Sequence, residues 1–97
     1  MAATPEAKVK AAVKKVLDSL GIYHFSPFMA GMGRAGVPDI ICCYNGQFIG
    51  IECKAGKGQT TALQERELAA IRAAGGWAMV VRETDIPDLK EQLENMS

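Results

Sequence analysis

Five side chains stand where they could do chemistry together: Asp39 after Pro38, Glu52 and Lys54 flanking Cys53, Glu6 upstream and Gln64 downstream. Asn45-Gly46, the strongest short-range signal for a two-residue hairpin turn, separates the strand-like runs Asp39–Tyr44 and Gln47–Lys54. With that turn Tyr44 pairs with Gln47 and Cys43 with Phe48, and five steps out Asp39 faces Glu52. Opposed residues share a sheet face with Cβ atoms roughly 4.5–5.5 Å apart, and Lys54, two positions beyond Glu52, lies on that face too. Two like charges directly opposite each other destabilise a sheet unless a cation sits between them, and hard oxygen ligands select Mg²⁺ or Mn²⁺. A Glu-x-Lys triplet alone is commonplace. Its weight comes from Pro38-Asp39, the hairpin register and an inward Glu6.

The surrounding elements follow from periodicity. Thr4-Pro5 reads as an N-cap with proline at the first helical position and Gly21 as a C-terminal stop, predicting a helix over 5–20. Glu6 precedes Val9, Val13 and Leu17 by three, seven and eleven residues, so it projects from the end of the apolar face. Ile22–Phe28 reads as a strand, and Met29–Val37 as a glycine-rich loop. After the hairpin, Thr61-Ala-Leu-Gln64 has the form of a capping box opening a helix to about Ala74, stopped by Gly75-Gly76. Trp77–Arg82 reads as a buried strand, Asp85-Ile-Pro87 introduces an amphipathic helix with Leu89 and Leu93, and Glu91–Ser97 is expected to fray. The helix crossover makes the third and fourth strands parallel. The expectation is an α/β fold, αβββαβ(α), with a mixed four-stranded sheet flanked by helices.

Ninety-seven residues, 48% hydrophobic, fit one domain spanning 1–97, and eleven basic residues balance eleven acidic ones, so no global basic field announces a nucleic-acid partner. The charge is unevenly spread. Residues 1–60 hold seven bases (Lys8, Lys10, Lys14, Lys15, Arg34, Lys54, Lys57) against four acids, and three of those are Glu6, Asp39 and Glu52. No apolar run reaches the ~18 residues of a membrane span and the start lacks a signal-peptide pattern, which predicts a cytoplasmic protein without membrane association. Three cysteines without a CxxC or Cys/His cluster give neither a disulfide framework nor a zinc site, and they read as small buried strand residues. His24 alone cannot build a Ser-His-Asp system and reads as a strand residue.

Pro38-Asp39 followed by Glu52-Cys53-Lys54 on this element order resembles the PD-(D/E)xK nuclease superfamily, with its restriction-endonuclease-like core. Glu6, the glycine-rich run Gly31–Gly36 and Gln64 are similar to the virus-type replication-repair nuclease (VRR-NUC) family, in its small stand-alone phage-like form. The resemblance implies a metal-dependent endodeoxyribonuclease of DNA repair in a bacterial or phage-infected cell. It also implies a homodimer that acts on branched DNA, as a Holliday junction resolvase does. Asp39 and Glu52 would hold Mg²⁺ (or Mn²⁺) with the Cys53 carbonyl, Glu6 would ligate through water or serve a second metal, and Lys54 would orient the attacking water. Gln64 faces the sheet, where it could position Lys54, the water or a phosphate; a capping-box role explains it equally well. Arg34 and Lys57, in loops flanking the strands, are the candidate DNA contacts.

Two other classes compete. Gly31-Met-Gly33-Arg-Ala-Gly36 satisfies the dinucleotide fingerprint, but Val37-Pro38 leads into a strand instead of a helix, and Gly56-Lys57-Gly58 fails the phosphate-loop spacing. No nucleotide cofactor is therefore expected. A non-catalytic DNA-binding module leaves the acid and lysine set unexplained. A chain this small buries a limited core, and Phe25-Ser-Pro-Phe28-Met29, leading to Met32, supplies an apolar association patch.

Overall fold

The computed structural model describes residues 4–28 and 34–96, so Gly31 and Gly33 of the glycine-rich run, and Met29 and Met32 of the apolar patch, lie outside it. The elements are α1 (Pro5–Ser19), β1 (Tyr23–Phe25), β2 (Ile40–Tyr44), β3 (Gln47–Cys53), α2 (Ala62–Ala73), β4 (Trp77–Val81), a 3₁₀ turn (Glu83–Asp85) and α3 (Ile86–Glu94). They form one sheet of order β1-β2-β3-β4, antiparallel at the first two junctions and parallel between β3 and β4 across α2.

Local chemistry sets the ends of these elements. The Thr4 hydroxyl accepts the Ala7 N–H at 3.1 Å to start α1, and the helix closes where Ile22 N–H donates to Leu17 O and Gly21 N–H to Asp18 O. Asn45 and Gly46 both adopt positive φ, 51° and 79°, as the tight hairpin turn demands. The register follows: Tyr44 pairs with Gln47, Cys43 with Phe48, and the ladder runs to Ile40 opposite Ile51.

One sheet face carries Ile40, Cys42, Ile49, Ile51, Cys53 and Val81 into a core shared with Val9, Val13 and Leu17 of α1 and Leu89 and Leu93 of α3. The opposite face receives α2, whose Leu68 is buried. Gly50 permits that approach, because a Cβ there would stand 2.7 Å from Ile71 Cδ1 and 2.9 Å from Pro38 Cγ.

Several expectations are corrected by this packing. The first strand is only Tyr23–Phe25, since Ser26-Pro27 leaves the ladder. Cys43 is exposed while Cys42 and Cys53 are buried, because Cys43 points from β2 to the face that α2 leaves uncovered. Of β4 only Val81 is buried, as expected of an edge strand. Residues 91–96 do not fray as a unit: α3 continues to Glu94, Leu93 is fully buried and Met96 joins the same core, while Ser97 lies outside the described residues. Leu93→Ala should consequently lower stability by about 2–5 kcal/mol, the range for a buried leucine, read from the urea midpoint at unchanged slope.

Candidate metal centre

The acids meet where the hairpin opens. Asp39 stands one step beyond the last β2–β3 pair, opposite Glu52, and its Oδ2 accepts the Cys53 backbone N–H at 2.8 Å. The Asp39 side chain thereby satisfies a main-chain donor that the ladder no longer covers. Glu6 lies in the first turn of α1, where a carboxylate complements the positive end of the helix. One carboxylate oxygen each from Glu6, Asp39 and Glu52 lies within 4.8 Å of the others. A cleft of about 200 Å³ beside them is lined by Thr4, Glu6, Ala7, Lys10 and Asp39.

Glu52 is the most constrained of the three, with 1% of its surface exposed. Its Oε2 accepts from Gln64 Nε2 at 2.8 Å and lies 3.5 Å from Lys54 Nζ. Its Oε1 is buried and has no hydrogen-bond partner among the described residues. Leaving a buried charged oxygen unpaired costs about 1–3 kcal/mol or more, which a cation at that oxygen would remove. Burial first and the charge of Asp39 second raise the Glu52 carboxyl to about 7, against the lowering pull of Lys54 and the Asp39 main chain. The donor set is therefore all carboxylate, part-buried and incompletely satisfied, which fits a hard divalent ion.

Gln64 fills both roles that its position allows. Its Oε1 accepts the Thr61 N–H at 2.9 Å and its N–H donates to Thr61 Oγ1 at 3.1 Å, completing the capping box; its Nε2 remains free to hold Glu52. The cap fixes which end of the amide faces the carboxylate. Lys54, 7% exposed, is held beside Glu52 in the same buried layer. The Cys53 thiol is pushed up to about 12, first by burial and then by Asp39 and Glu52, which leaves the carbonyl as the oxygen this residue can offer.

The two candidate DNA contacts differ. Lys57 is exposed on a turn that is tied down, since Gly56 N–H donates to Glu83 Oε1 at 2.7 Å and Arg82 Nη1 to Gly56 O at 3.0 Å. Arg34 instead reaches across to α2, its Nε 2.8 Å and 2.9 Å from the two carboxylate oxygens of Glu67. Neither Glu67 nor Lys10 was singled out as a site residue from the sequence. The signal for Lys10 was its i,i+4 spacing from Glu6, which brings both to one side of α1. His24 is a strand residue whose Nε2 lies 2.7 Å from Asp18 Oδ1, tying β1 to α1.

Solved structures share this architecture. One described as "VRR_NUC domain" superposes with a TM-score of 0.76 at 24% identity, covering 92% of this chain and 97% of its own. The fold is that of a VRR_NUC domain. A second, "VRR_NUC domain protein", gives a TM-score of 0.66 at 20% identity over 98% of this chain and 89% of its own. No family model and no curated protein matches the chain. On the VRR_NUC fold, the hairpin and the helices before and after it bring Glu6, Asp39, Glu52, Lys54 and Gln64 to one end of the sheet.

The raised carboxyl of Glu52 makes metal-free stability depend on pH. Unfolded, the group ionises near its ordinary 4.5; folded, it holds its proton to about 7. Between those values the native state binds more protons, so stability is greatest at the acid end and falls as pH rises through the window, by a few kcal/mol in all. In EDTA, the urea-derived stability of wild type minus that of Glu52→Gln should decline from pH 4.5 to 7 and level off above. A difference that is flat over that range would show that Glu52 does not carry the shift.

Proposed function

We propose that residues 1–97 act as a single nuclease domain that hydrolyses DNA phosphodiester bonds with Mg²⁺ or Mn²⁺. The observation that carries this reading is the buried Oε1 of Glu52, unpartnered among the described residues, beside the carboxylates of Asp39 and Glu6. The VRR_NUC fold supports it. Asp39 and Glu52 would hold the ion, with the Cys53 carbonyl as a further oxygen and Glu6 as a ligand through water or to a second ion. When bound, a divalent ion lowers the pKa of water and stabilises negative charge on phosphate.

The chain's own groups do the rest. Glu52, fixed through Oε2 by Gln64 and Lys54, keeps Oε1 in place without losing side-chain freedom on binding. Lys54 brings a positive charge into a buried layer, where it orients the attacking water and offsets charge developing on the phosphate. Lys10, lining the acid cleft, and Lys57, on its braced turn, would take phosphates on either side. Little of so small a domain remains to read bases, so discrimination rests on DNA shape.

We further infer a homodimer acting on branched DNA, with four-way junctions as substrate, in the cytoplasm of a bacterial or phage-infected cell. Tyr23, Phe25, Phe28 and Phe48 are exposed large apolar residues, and β-pairing places Tyr23, Cys43 and Phe48 in one row across three strands. A two-fold arrangement would supply two sites for paired incisions. Among the described residues no helix is long and apolar enough to cross a membrane.

Nicking of supercoiled plasmid in Mn²⁺ should be abolished by EDTA, and Asp39→Ala, Glu52→Ala and Lys54→Ala should each lose several orders of magnitude in rate with circular dichroism unchanged. Wild-type rates in the Lys54 variant would refute the assignment. Light scattering should report a dimer that Phe48→Arg dissociates, and junctions should be cut faster than flaps or nicked duplex. A monomer that prefers flaps would overturn the dimer and junction reading while leaving the nuclease intact.

A further inference from the structure

We propose that Arg34 and Glu67 form a positioning pair that sets the distance between Asp39 and Glu52, with α2 as their common frame. The proposal rests on the metal-centre reading above and adds residues to it. Glu67 is an acid within the buried layer, its side chain 8% exposed, whereas Arg34 is 68% exposed. A buried carboxylate without a partner is strongly unfavourable, and Arg34 supplies the close one, since Arg66 Nε stands 3.7 Å away against 2.8 Å for Arg34 Nε.

The pair does more than satisfy a charge, because Arg34 begins the segment that delivers Asp39. That segment is fastened at two further points. Gly36 adopts φ +82° and lies so close to α2 that a Cβ there would be 2.6 Å from the backbone carbon and oxygen of Leu63, and Pro38 rests against Gly50 of β3. Leu63 and Glu67 therefore hold the approach to Asp39, while Gln64, on the same helix between them, holds Glu52 at 2.8 Å. Both acids are referenced to the first two turns of α2. Releasing Arg34 from Glu67 frees one end of the Asp39 segment while Gly36, Pro38 and the Cys53 N–H still hold the rest and Glu52 stays where it is, so the relation between the two acids loosens. The pair leaves Arg34 poorly placed for the role of a simple phosphate contact, since its charge is already committed to Glu67.

Mn²⁺ affinity by isothermal titration calorimetry tests this on the intact chain, with folding checked by circular dichroism. Arg34→Met and Glu67→Gln should each raise the Mn²⁺ dissociation constant about tenfold, as loss of a supporting partner typically does, and the double variant should be no worse than the weaker single. On plasmid, kcat should fall with KM for DNA unchanged. If a lone charge left by either single substitution prevents folding, the apolar pair Arg34→Leu with Glu67→Leu removes both charges, and it should fold yet bind Mn²⁺ more weakly. Wild-type Mn²⁺ affinity in the variants overturns the proposal, whether accompanied by a lower melting temperature, as for a merely structural pair, or by a raised KM in Arg34→Met alone, as for a DNA contact. Asp39→Asn separates the two levels: if it binds Mn²⁺ as wild type does, the metal-centre reading itself fails.

Discussion

Two carboxylates on neighbouring strands repel each other, and this molecule builds that repulsion into the mouth of its hairpin. Asp39 and Glu52 are brought opposite each other by a turn whose two residues both take positive φ, so their register is set locally, although Asp39 itself stands one step beyond the ladder. The neighbouring structure deals with the consequence. Asp39 is partly satisfied by the Cys53 N–H, Glu52 Oε2 by Gln64 and Lys54, and Oε1 by no group among the described residues. A buried carboxylate oxygen left without a described partner is better suited to a ligand than to stability.

The helices divide the labour by face. α1 and α3 complete the apolar core on one side of the sheet, and α1 extends its first turn beyond that core to present Glu6. On the other side, α2 buries only Glu67 and Leu68, and together with its N-cap Thr61 it carries polar anchors three residues apart, Thr61, Gln64 and Glu67. Its capping box, a device for starting a helix, also determines that Gln64 donates to Glu52. Helix initiation and site geometry are thus one set of hydrogen bonds, so a change at the start of α2 acts on the acids as well as on the helix.

Much of this was legible in the sequence wherever the cause is local. Asn45-Gly46 sets the strand register, and with it the encounter of Asp39 and Glu52, because turn geometry and pleat allow one solution. The spacing of Glu6 to Val9, Val13 and Leu17 places its carboxylate because helical period is a local property. Non-local facts were not legible. Arg34 and Glu67 are 33 residues apart, and nothing in either neighbourhood announces the other. The exposure of Cys43 depends on how far across the sheet α2 reaches, and the order of the last residues depends on a core that Leu93 and Met96 complete only once α3 has docked on α1.

The central claim is that the unpaired oxygen of Glu52 exists to hold a divalent cation. Crystals grown with Mn²⁺ and measured at its absorption edge test this most directly. The account predicts an anomalous peak bonded to Glu52 Oε1 and to Asp39, lost in Asp39→Asn crystals grown under the same conditions. Density showing Oε1 satisfied by an ordered water or a protein donor, with manganese absent from the acids at saturating concentration, would contradict it.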